Sequence, residues 1–168
     1  MILDADTVPP SPWKNGGGQT RELLRLPALA AGSGSGSQDW RLRLSLADIT
    51  ADGPFSAFPG VRRWFAVIEG EGVVLGLAGG ERAVRRGDAP LSFDGDEAPG
   101  CRLIGGATRD LNLMLQGLDG ELAAAPAGAA WVAAWPQRGF FEAASRRLHW
   151  PFTGTAAPAD GWWIGCDA

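Results

Sequence analysis

Short apolar segments separated by turns run along the whole chain, and this pattern limits the fold more than any other feature. The 25 glycines and 12 prolines supply turn signals about every ten residues, a spacing typical of all-β sandwiches and barrels. No segment of about twelve residues has the apolar spacing of an amphipathic helix, and segments 118–125 and 141–148 leave room for one short helix each. The sequence therefore predicts an all-β fold.

The segment W-R-L-R-L-S-L at 40–46 alternates between apolar and polar residues, as expected of a strand. Trp40 and the three leucines share one face, which we expect to lie in the core, and the two arginines and the serine share the other. In segment 20–26 the alternation places Glu22 and Arg25 on opposite faces. Further strands are predicted at 64–68, 73–77, 82–86, 91–93, 101–104, 131–135, 140–141 and 162–164, and a flexible Gly/Ser loop at 30–39.

The segment R-D-L-N-L-M-L-Q at 109–116 alternates strictly and carries polar residues on one face. Its leucines share one side, and Asp110 and Asn112 share the other. Glu22 likewise shares a face with Thr20. Polar groups on an inner barrel face must be hydrogen-bonded or hydrated, so this cluster marks either a ligand pocket or a structural network.

The stretch PWKNGGGQTRE at 12–22 contains the sole lysine and three consecutive glycines. A nucleotide-binding P-loop has its lysine after the glycines and leads into a helix, whereas here Lys14 precedes them and a strand follows, which argues against phosphate binding of that kind. Two interpretations stay open. In the first, the backbone N–H groups of the glycines bind a small anion such as a carboxylate. In the second, the glycines only allow a tight bend, and Lys14 and Asn15 lie in solvent.

Composition narrows the classes of function. A chain of 168 residues suits one sizeable domain, and we expect a single domain over 1–168. The net charge of -4 repels polyanions, so we expect no nucleic-acid partner. The N-terminus does not resemble a secretory signal, and no apolar run of about 18 residues predicts a membrane span. Cys101 and Cys166 have no metal-like spacing, so we expect them to be reduced thiols in a cytoplasmic protein. We also expect the protein to be soluble and to have no membrane partner.

His149 is the only histidine of the chain. A site with three histidines is therefore impossible, and catalysis by a Ser-His or Cys-His pair is not expected. We expect His149 to be structural or exposed, and we predict no metal site and no cofactor.

Arg63 follows the turn-rich segment D-G-P-F-S-A-F-P-G at 52–60 and precedes an apolar run. Its guanidinium can offer two parallel hydrogen bonds to a ligand carboxylate. It can equally pair with one of the acidic residues of the chain, and both interpretations stay open.

Six motifs occur in order between about residues 9 and 116. They are PWKNGGGQTRE at 12–22, WRLRLSLA at 40–47, DGPFSAFPGVRR at 52–63, LSFDGD at 91–96, CRLIGG at 101–106 and RDLNLM at 109–114. As a set they resemble the HutD/Ves family. The resemblance implies a cupin-type β-barrel, usually a compact bicupin in which two small barrels pack together in one chain. With a single histidine, the chain resembles a metal-free cupin.

The resemblance also implies a link to histidine utilisation, in which HutD acts as an accessory or regulatory protein that binds N-formyl-glutamate, urocanate or a similar intermediate. Ves members are associated with stress responses, and no enzymatic activity is attached to the family. One departure concerns the segment after F-P-G, where the family commonly has an Asp-Arg pair. Here Arg62 precedes Arg63, which changes the charge next to Arg63.

We therefore predict a non-enzymatic protein, monomeric or homodimeric, that binds a small carboxylate metabolite. Arg63 or Lys14 would meet the carboxylate, and Asn112 and Glu22 would recognise an amide, formyl or imidazole group. The alternatives are a metal-free isomerase or hydrolase with Glu22 and Asp110 as acid and base, and a protein-interaction module with an exposed apolar patch. The residues predicted to bind the ligand are Lys14, Asn15, Gly16, Gly17, Gly18, Thr20, Glu22, Arg63, Asp110 and Asn112.

Overall fold

The computed structural model describes residues 1–27 and 39–167 and divides the chain into two compact units. Pro10–Gly117 forms one, which we call the central unit. Met1–Pro9 and the residues from Leu118 onward form the other, the flanking unit. The Gly/Ser loop predicted at 30–39 lies outside the described residues except for Asp39. A single domain over the whole chain stays a prediction.

The described residues form strands joined by turns, with one 3-10 turn at Ala5–Thr7. None of the helices in this part of the chain is long and apolar enough to cross a membrane. The strands are β1 (Ile2–Asp4), β2 (Ser11–Pro12), β3 (Gly18–Leu26), β4 (Leu42–Ile49), β5 (Gly53–Pro54), β6 (Val61–Glu69), β7 (Gly72–Leu77), β8 (Gly80–Arg85), β9 (Leu91–Asp94), β10 (Gly100–Ile104), β11 (Thr108–Gln116), β12 (Gly120–Ala125), β13 (Gln137–Glu142), β14 (Arg147–His149) and β15 (Gly161–Cys166).

The described part of the central unit contains two antiparallel sheets that share one apolar core. The six-stranded sheet has the order β2-β3-β4-β11-β6-β9, and the four-stranded sheet has the order β5-β10-β7-β8. The first contributes Ile49, Phe65 and Phe93 to the core, and the second contributes Leu75 and Val84. Two sheets with a common interior form a sandwich or barrel. The predicted all-β fold of cupin type is confirmed.

The inner face of β4 is the one that carries the polar residues. Ile49 belongs to the core, and two-residue alternation places Ser45 and Arg43 on its side. The leucines of β4 point the other way and are buried as well. Trp40 precedes the strand and packs with Met114 instead. The leucines are buried, as expected of a core face, whereas the placement of Trp40 on their face is wrong. Alternation does not tell which face lines the barrel interior when both faces are buried.

A β-bulge interrupts β3. The register against β4 shifts between Glu22 and Leu24, so Leu23 is an extra residue in the ladder. Beyond it Arg25 pairs with Arg43, which brings Arg25 to the same face as Glu22. The prediction of opposite faces is wrong because it assumes an unbroken ladder.

The described part of the flanking unit contains one antiparallel sheet, in the order β1-β14-β13-β15-β12. An aromatic cluster covers it: the ring of Trp163 lies 4.4 Å from that of Trp131 and 4.9 Å from that of Phe140, centroid to centroid. His149 is half-buried in this sheet, next to Phe140 and Phe152. A second small barrel stays a prediction.

Three segments differ from the secondary structure that their sequence favours. Segment 118–125 contains β12, and 141–148 joins β13 to β14, so neither is helical. Segment 131–135 follows an isolated bridge at Ala130 and is not a strand. The alanines of β12 favour a helix weakly, and sheet pairing with β15 outweighs that preference.

Candidate functional site

A cavity of about 630 Å³ lies in the central unit, within the volume range of small-molecule sites. Strands β3, β4, β6 and β11 and the segments before β3 and β6 supply its walls. Within residues 1–27 and 39–167, no acidic residue lines it. The lining residues are Ser11, Pro12, Trp13, Lys14, Asn15, Thr20, Arg43, Ser45, Ala47, Ile49, Pro54, Phe55, Ser56, Phe58, Arg63, Phe65, Asn112 and Met114.

The glycine-rich loop forms one side of the cavity entrance. Gly16 has a φ of +75°, which favours glycine, and its N–H donates to the carbonyl of Trp13 at 3.1 Å. A Cβ at Gly18 would run into the Trp13 ring and the main chain of β4. The indole N–H of Trp13 donates to the hydroxyl of Thr20 at 2.8 Å. These contacts fix the loop so that Lys14 is exposed at the rim of the cavity.

Strand pairing aligns the inner side chains in rows. Phe65, Asn112 and Ser45 oppose one another across β6, β11 and β4. The next row consists of Arg63, Met114 and Arg43. Directly paired residues in antiparallel strands point to the same face, so the polar face of β11 and the polar face of β4 look into one interior.

Arg63 is a buried cation with incomplete hydrogen bonding. The residue is 5% exposed. Nη1 lies 3.4 Å from the carbonyl oxygen of Ser56, Nη2 lies 3.4 Å from Oδ1 of Asn112, and Nε has no hydrogen-bond partner. The guanidinium carbon lies 5.1–5.4 Å from the ring centroids of Phe55, Phe58 and Phe93.

The charge of Arg63 is uncompensated within residues 1–27 and 39–167, where it forms no ion pair. Burial, together with the nearby positive charge of Arg43, lowers the pKa of Arg63 to about 10. The guanidinium still carries its proton at neutral pH. A buried charge without a counter-ion is costly, so this position favours an anion that enters the cavity.

Glu22 contacts both Arg25 and Arg43, so one carboxylate is shared by two guanidinium groups. Its Oε2 lies 2.7 Å from Nη2 of Arg25 and 2.8 Å from Nε of Arg43, although the second contact lacks hydrogen-bond geometry. Burial raises the pKa of Glu22, but the two guanidinium groups lower it by more, so the net pKa is below the ordinary value. Glu22 does not line the cavity.

Asp110 is fully buried and does not line the cavity. Thr108 donates its hydroxyl to Oδ2 at 2.8 Å, and Oδ1 has no hydrogen-bond partner. The pKa of Asp110 is raised to about 8, chiefly by burial; the Thr108 hydrogen bond lowers the pKa, and the negative charge of Asp48 raises it. Burial also raises the pKa of the Cys101 thiol to about 12, with contributions from Asp110 and Asp52.

The structure brings half of the predicted binding residues to the cavity. Those that line it are Lys14, Asn15, Thr20, Arg63 and Asn112. Gly16, Gly17 and Gly18 belong to the loop without lining the cavity, and Glu22 and Asp110 lie elsewhere in the central unit. The acid and base of the enzyme alternative are thus both outside the cavity lining.

Arg62, the departure from the family pattern, points away from the cavity. Successive strand residues face opposite sides. Nε of Arg62 donates to Oγ of Ser92 at 2.8 Å, and Nη1 lies 3.2 Å from Oδ1 of Asp94. The side chain at this position therefore contacts the outer face of β9 and not the surroundings of Arg63.

Sequence reasoning missed Arg43, Ser45 and the two phenylalanines at 55 and 58. The alternation of 40–46 carried a usable signal, because polar residues alternating with leucines are also what singled out Asp110 and Asn112. The phenylalanines lie in a segment interpreted only as a turn. Their role depends on the way that segment folds over Arg63.

No three or more His, Cys, Asp or Glu side chains in the described ranges are grouped so that they could hold a metal ion.

A model of the HutD family matches residues 5–126. The chain belongs to the HutD family. The match contains the whole of the central unit and therefore every residue that lines the cavity.

Two curated relatives illustrate the range of the family. An uncharacterized 21.2 kDa protein in the hutC 3′ region of Pseudomonas putida is 41% identical over 68% of this chain and 57% of its own length. Protein Ves of Citrobacter koseri is 34% identical over 67% of this chain and 56% of its own length. The chain thus matches little more than half the length of either relative.

Two solved structures resemble this chain along nearly its full length. HutD from Pseudomonas fluorescens SBW25, determined in a formate condition, is 28% identical with a TM-score of 0.79, and the match covers 99% of this chain and 97% of that one. A conserved protein of unknown function from Pseudomonas aeruginosa PAO1 is 27% identical with a TM-score of 0.79, covering 100% and 98%.

Proposed function

We propose that the central unit binds a small carboxylate metabolite in its cavity, with the carboxylate on Arg63, and that the protein acts as a non-enzymatic accessory or regulatory protein of histidine utilisation. The observation that carries the proposal is a buried guanidinium that has no carboxylate partner among the described residues and lies at the wall of a cavity of about 630 Å³. A carboxylate accepts two parallel hydrogen bonds from a guanidinium, and burial strengthens such a pair.

The other polar groups of the cavity favour a ligand rich in hydrogen-bond acceptors. The amide NH₂ of Asn112 and the hydroxyl of Ser45 are donors, and neither residue forms a bond within the described chain that uses these groups as donors. Glu22, the acceptor expected to recognise an imidazole N–H, is outside the lining. The donor set therefore favours N-formyl-glutamate, with its formyl oxygen, over urocanate.

The biological role rests on the relatives. One is named HutD, and another is named by its position in a hutC region. Ves relatives carry no such name. The enzyme alternative lacks support from the geometry, because Glu22 and Asp110 do not face the cavity together.

Calorimetric titration with formate, N-formyl-L-glutamate and urocanate tests the proposal. Wild type should bind at least N-formyl-L-glutamate, and Arg63→Gln should lose that binding. The matched control is Arg62→Gln, which removes the same charge from the outer face of the same strand and should bind like wild type. Absence of binding of all three ligands to wild type, or equal binding by Arg63→Gln, would refute the proposal.

A further inference from the structure

The row of Arg63, Met114 and Arg43 continues onto β3, where Arg25 pairs with Arg43. Directly paired residues point to the same face, so three arginines share one row of the six-stranded sheet. Like charges that lie directly opposite one another destabilise a sheet unless a carboxylate lies between them. Glu22 supplies that carboxylate for Arg25 and Arg43, because the β-bulge in β3 brings Arg25 to its side.

The two arginines do not share the Glu22 carboxylate equally. Arg25 donates from Nε to Oε1 at 2.8 Å and from Nη2 to Oε2 at 2.7 Å, so it engages both oxygens. Arg43 approaches only Oε2, and its buried Nε has no hydrogen-bond partner within the described part of the chain. Arg25 therefore holds the carboxylate, and the charge of Arg43 is only partly compensated.

Of these three residues, Arg43 alone lines the cavity. It lies two strands away from Arg63, which corresponds to about 10 Å between the two backbones. Burial is the main cause of the lowered pKa of Arg63, and the positive charge of Arg43 adds to it. The positive potential at the anion position next to Arg63 therefore depends on how far Glu22 compensates Arg43.

We propose that Arg25, a residue outside the cavity lining, sets the anion affinity of the cavity by drawing the Glu22 carboxylate away from Arg43. The inference rests on the proposed function and adds a positioning residue behind the cavity wall. With Arg25 in place, the partly compensated charge of Arg43 attracts the ligand together with Arg63. Without Arg25, Glu22 would pair fully with Arg43, and the ligand would meet a weaker positive potential.

Two substitutions that each remove one charge should change anion affinity in opposite directions. Arg25→Met keeps an apolar stem and leaves Glu22 to Arg43, so N-formyl-L-glutamate should bind about three- to tenfold more weakly than to wild type. Glu22→Gln leaves Arg43 without its carboxylate, so binding should be about three- to tenfold tighter. Arg25→Lys, which keeps the charge, should stay closer to wild type than Arg25→Met. Calorimetric titration measures the affinities, and melting curves without ligand check the fold of each variant.

A double-mutant cycle distinguishes the action through Glu22 from a structural effect or a direct long-range effect of Arg25. In the Glu22→Gln background, Arg25→Met should change affinity by no more than about twofold, because no carboxylate is left to redistribute. If Glu22→Gln does not fold, Arg43→Met provides the background instead, and Arg25→Met should again have little effect there. An equal loss of affinity in wild type and in either background would overturn the role of Arg25.

Arg86→Met is the control for net charge, because Arg86 is exposed and does not line the cavity. It should bind like wild type. If Arg25→Met also binds like wild type while Arg63→Gln loses binding, the role of Arg25 is refuted and the proposed function stands. Failure of wild type to bind N-formyl-L-glutamate, formate and urocanate would refute the proposed function itself.

Discussion

Nη2 of Arg63 lies 3.4 Å from Oδ1 of Asn112, on the neighbouring strand β11. The two residues are diagonal neighbours, because Arg63 pairs directly with Met114 and Asn112 pairs with Phe65. An amide oxygen can orient a guanidinium, but it does not neutralise the charge. The pair therefore holds Arg63 in position and leaves its charge for a ligand.

Replacing this amide by a carboxylate should satisfy Arg63 from within the protein. We predict that Asn112→Asp raises the free energy of unfolding by about 1 kcal/mol, since a hydrogen bond between charged groups is stronger than the neutral one it replaces. For a chain of this size the melting temperature should rise by about 2–4 °C. Affinity for N-formyl-L-glutamate should fall at least about tenfold, because the new carboxylate occupies the anion position.

Asn112→Ala separates the effect on stability from the effect on ligand binding. It removes the oxygen without supplying a charge, so it should weaken binding and should not raise the melting temperature. If Asn112→Asp binds the ligand as tightly as wild type, the guanidinium does not contact the ligand carboxylate.

Arg63→Met should abolish ligand binding without destabilising the unliganded protein. The substitution removes a buried charge that lacks a partner and keeps an apolar side chain among three aromatic rings. We expect binding to weaken by at least about 30-fold, and the melting temperature without ligand to stay equal to that of wild type or rise. Thermal denaturation with and without N-formyl-L-glutamate measures both. A marked loss of stability would mean that Arg63 is a structural residue.

The alternation of polar and apolar residues along a strand predicted which residues belong to the site better than it predicted where the site lies. The polar face of β11 follows from the spacing of Asp110 and Asn112, and the structure places that face in the barrel interior. Arg63 stood out because it follows a turn-rich segment. Each of these inferences compares residues that are close in the sequence, and strand geometry determines directly which of them share a face.

Features that depend on non-local packing could not be predicted in this way. The bulge at Leu23 moves Arg25 to the side of Glu22, and the resulting ion pairs make Glu22 a structural partner. Both faces of β4 are buried, so hydrophobicity did not identify the inner one. Whether Asp110 lines the cavity or lies buried beside it depends on how the two sheets pack around the core, and no pattern in the sequence predicts that packing.

Stability should decrease as pH rises from about 4 to 8 because of Asp110. Burial raises the pKa of this carboxyl to about 8, so the folded state holds a proton that the unfolded state releases near pH 4. Between these pH values the folded state binds more protons than the unfolded state. Asp110 therefore lowers the free energy of unfolding by at most about 1.4 kcal/mol for each unit that the pH rises. The decrease ends above the folded pKa.

Asp110→Asn should remove this part of the pH dependence. Urea denaturation of wild type and variant at pH 4.5, 6 and 7.5 measures it, and the difference between the two curves isolates Asp110 because His149 is present in both. The variant should gain stability relative to wild type as pH rises. Parallel curves would show that Asp110 is ionised in the folded state throughout this range.

Gly18 should tolerate alanine far less well than its neighbour Gly17. A Cβ at Gly18 meets the Trp13 ring and a main-chain oxygen of β4, whereas a Cβ at Gly17 meets mainly the movable side chain of Asn15. We expect Gly18→Ala to cost about 1–3 kcal/mol of unfolding free energy and to weaken ligand binding, because the loop that carries Lys14 must shift. Gly17→Ala, the control, should change stability by no more than about 0.5 kcal/mol. Equal effects of the two substitutions, measured by urea denaturation, would mean that close packing of Gly18 does not hold the loop in place.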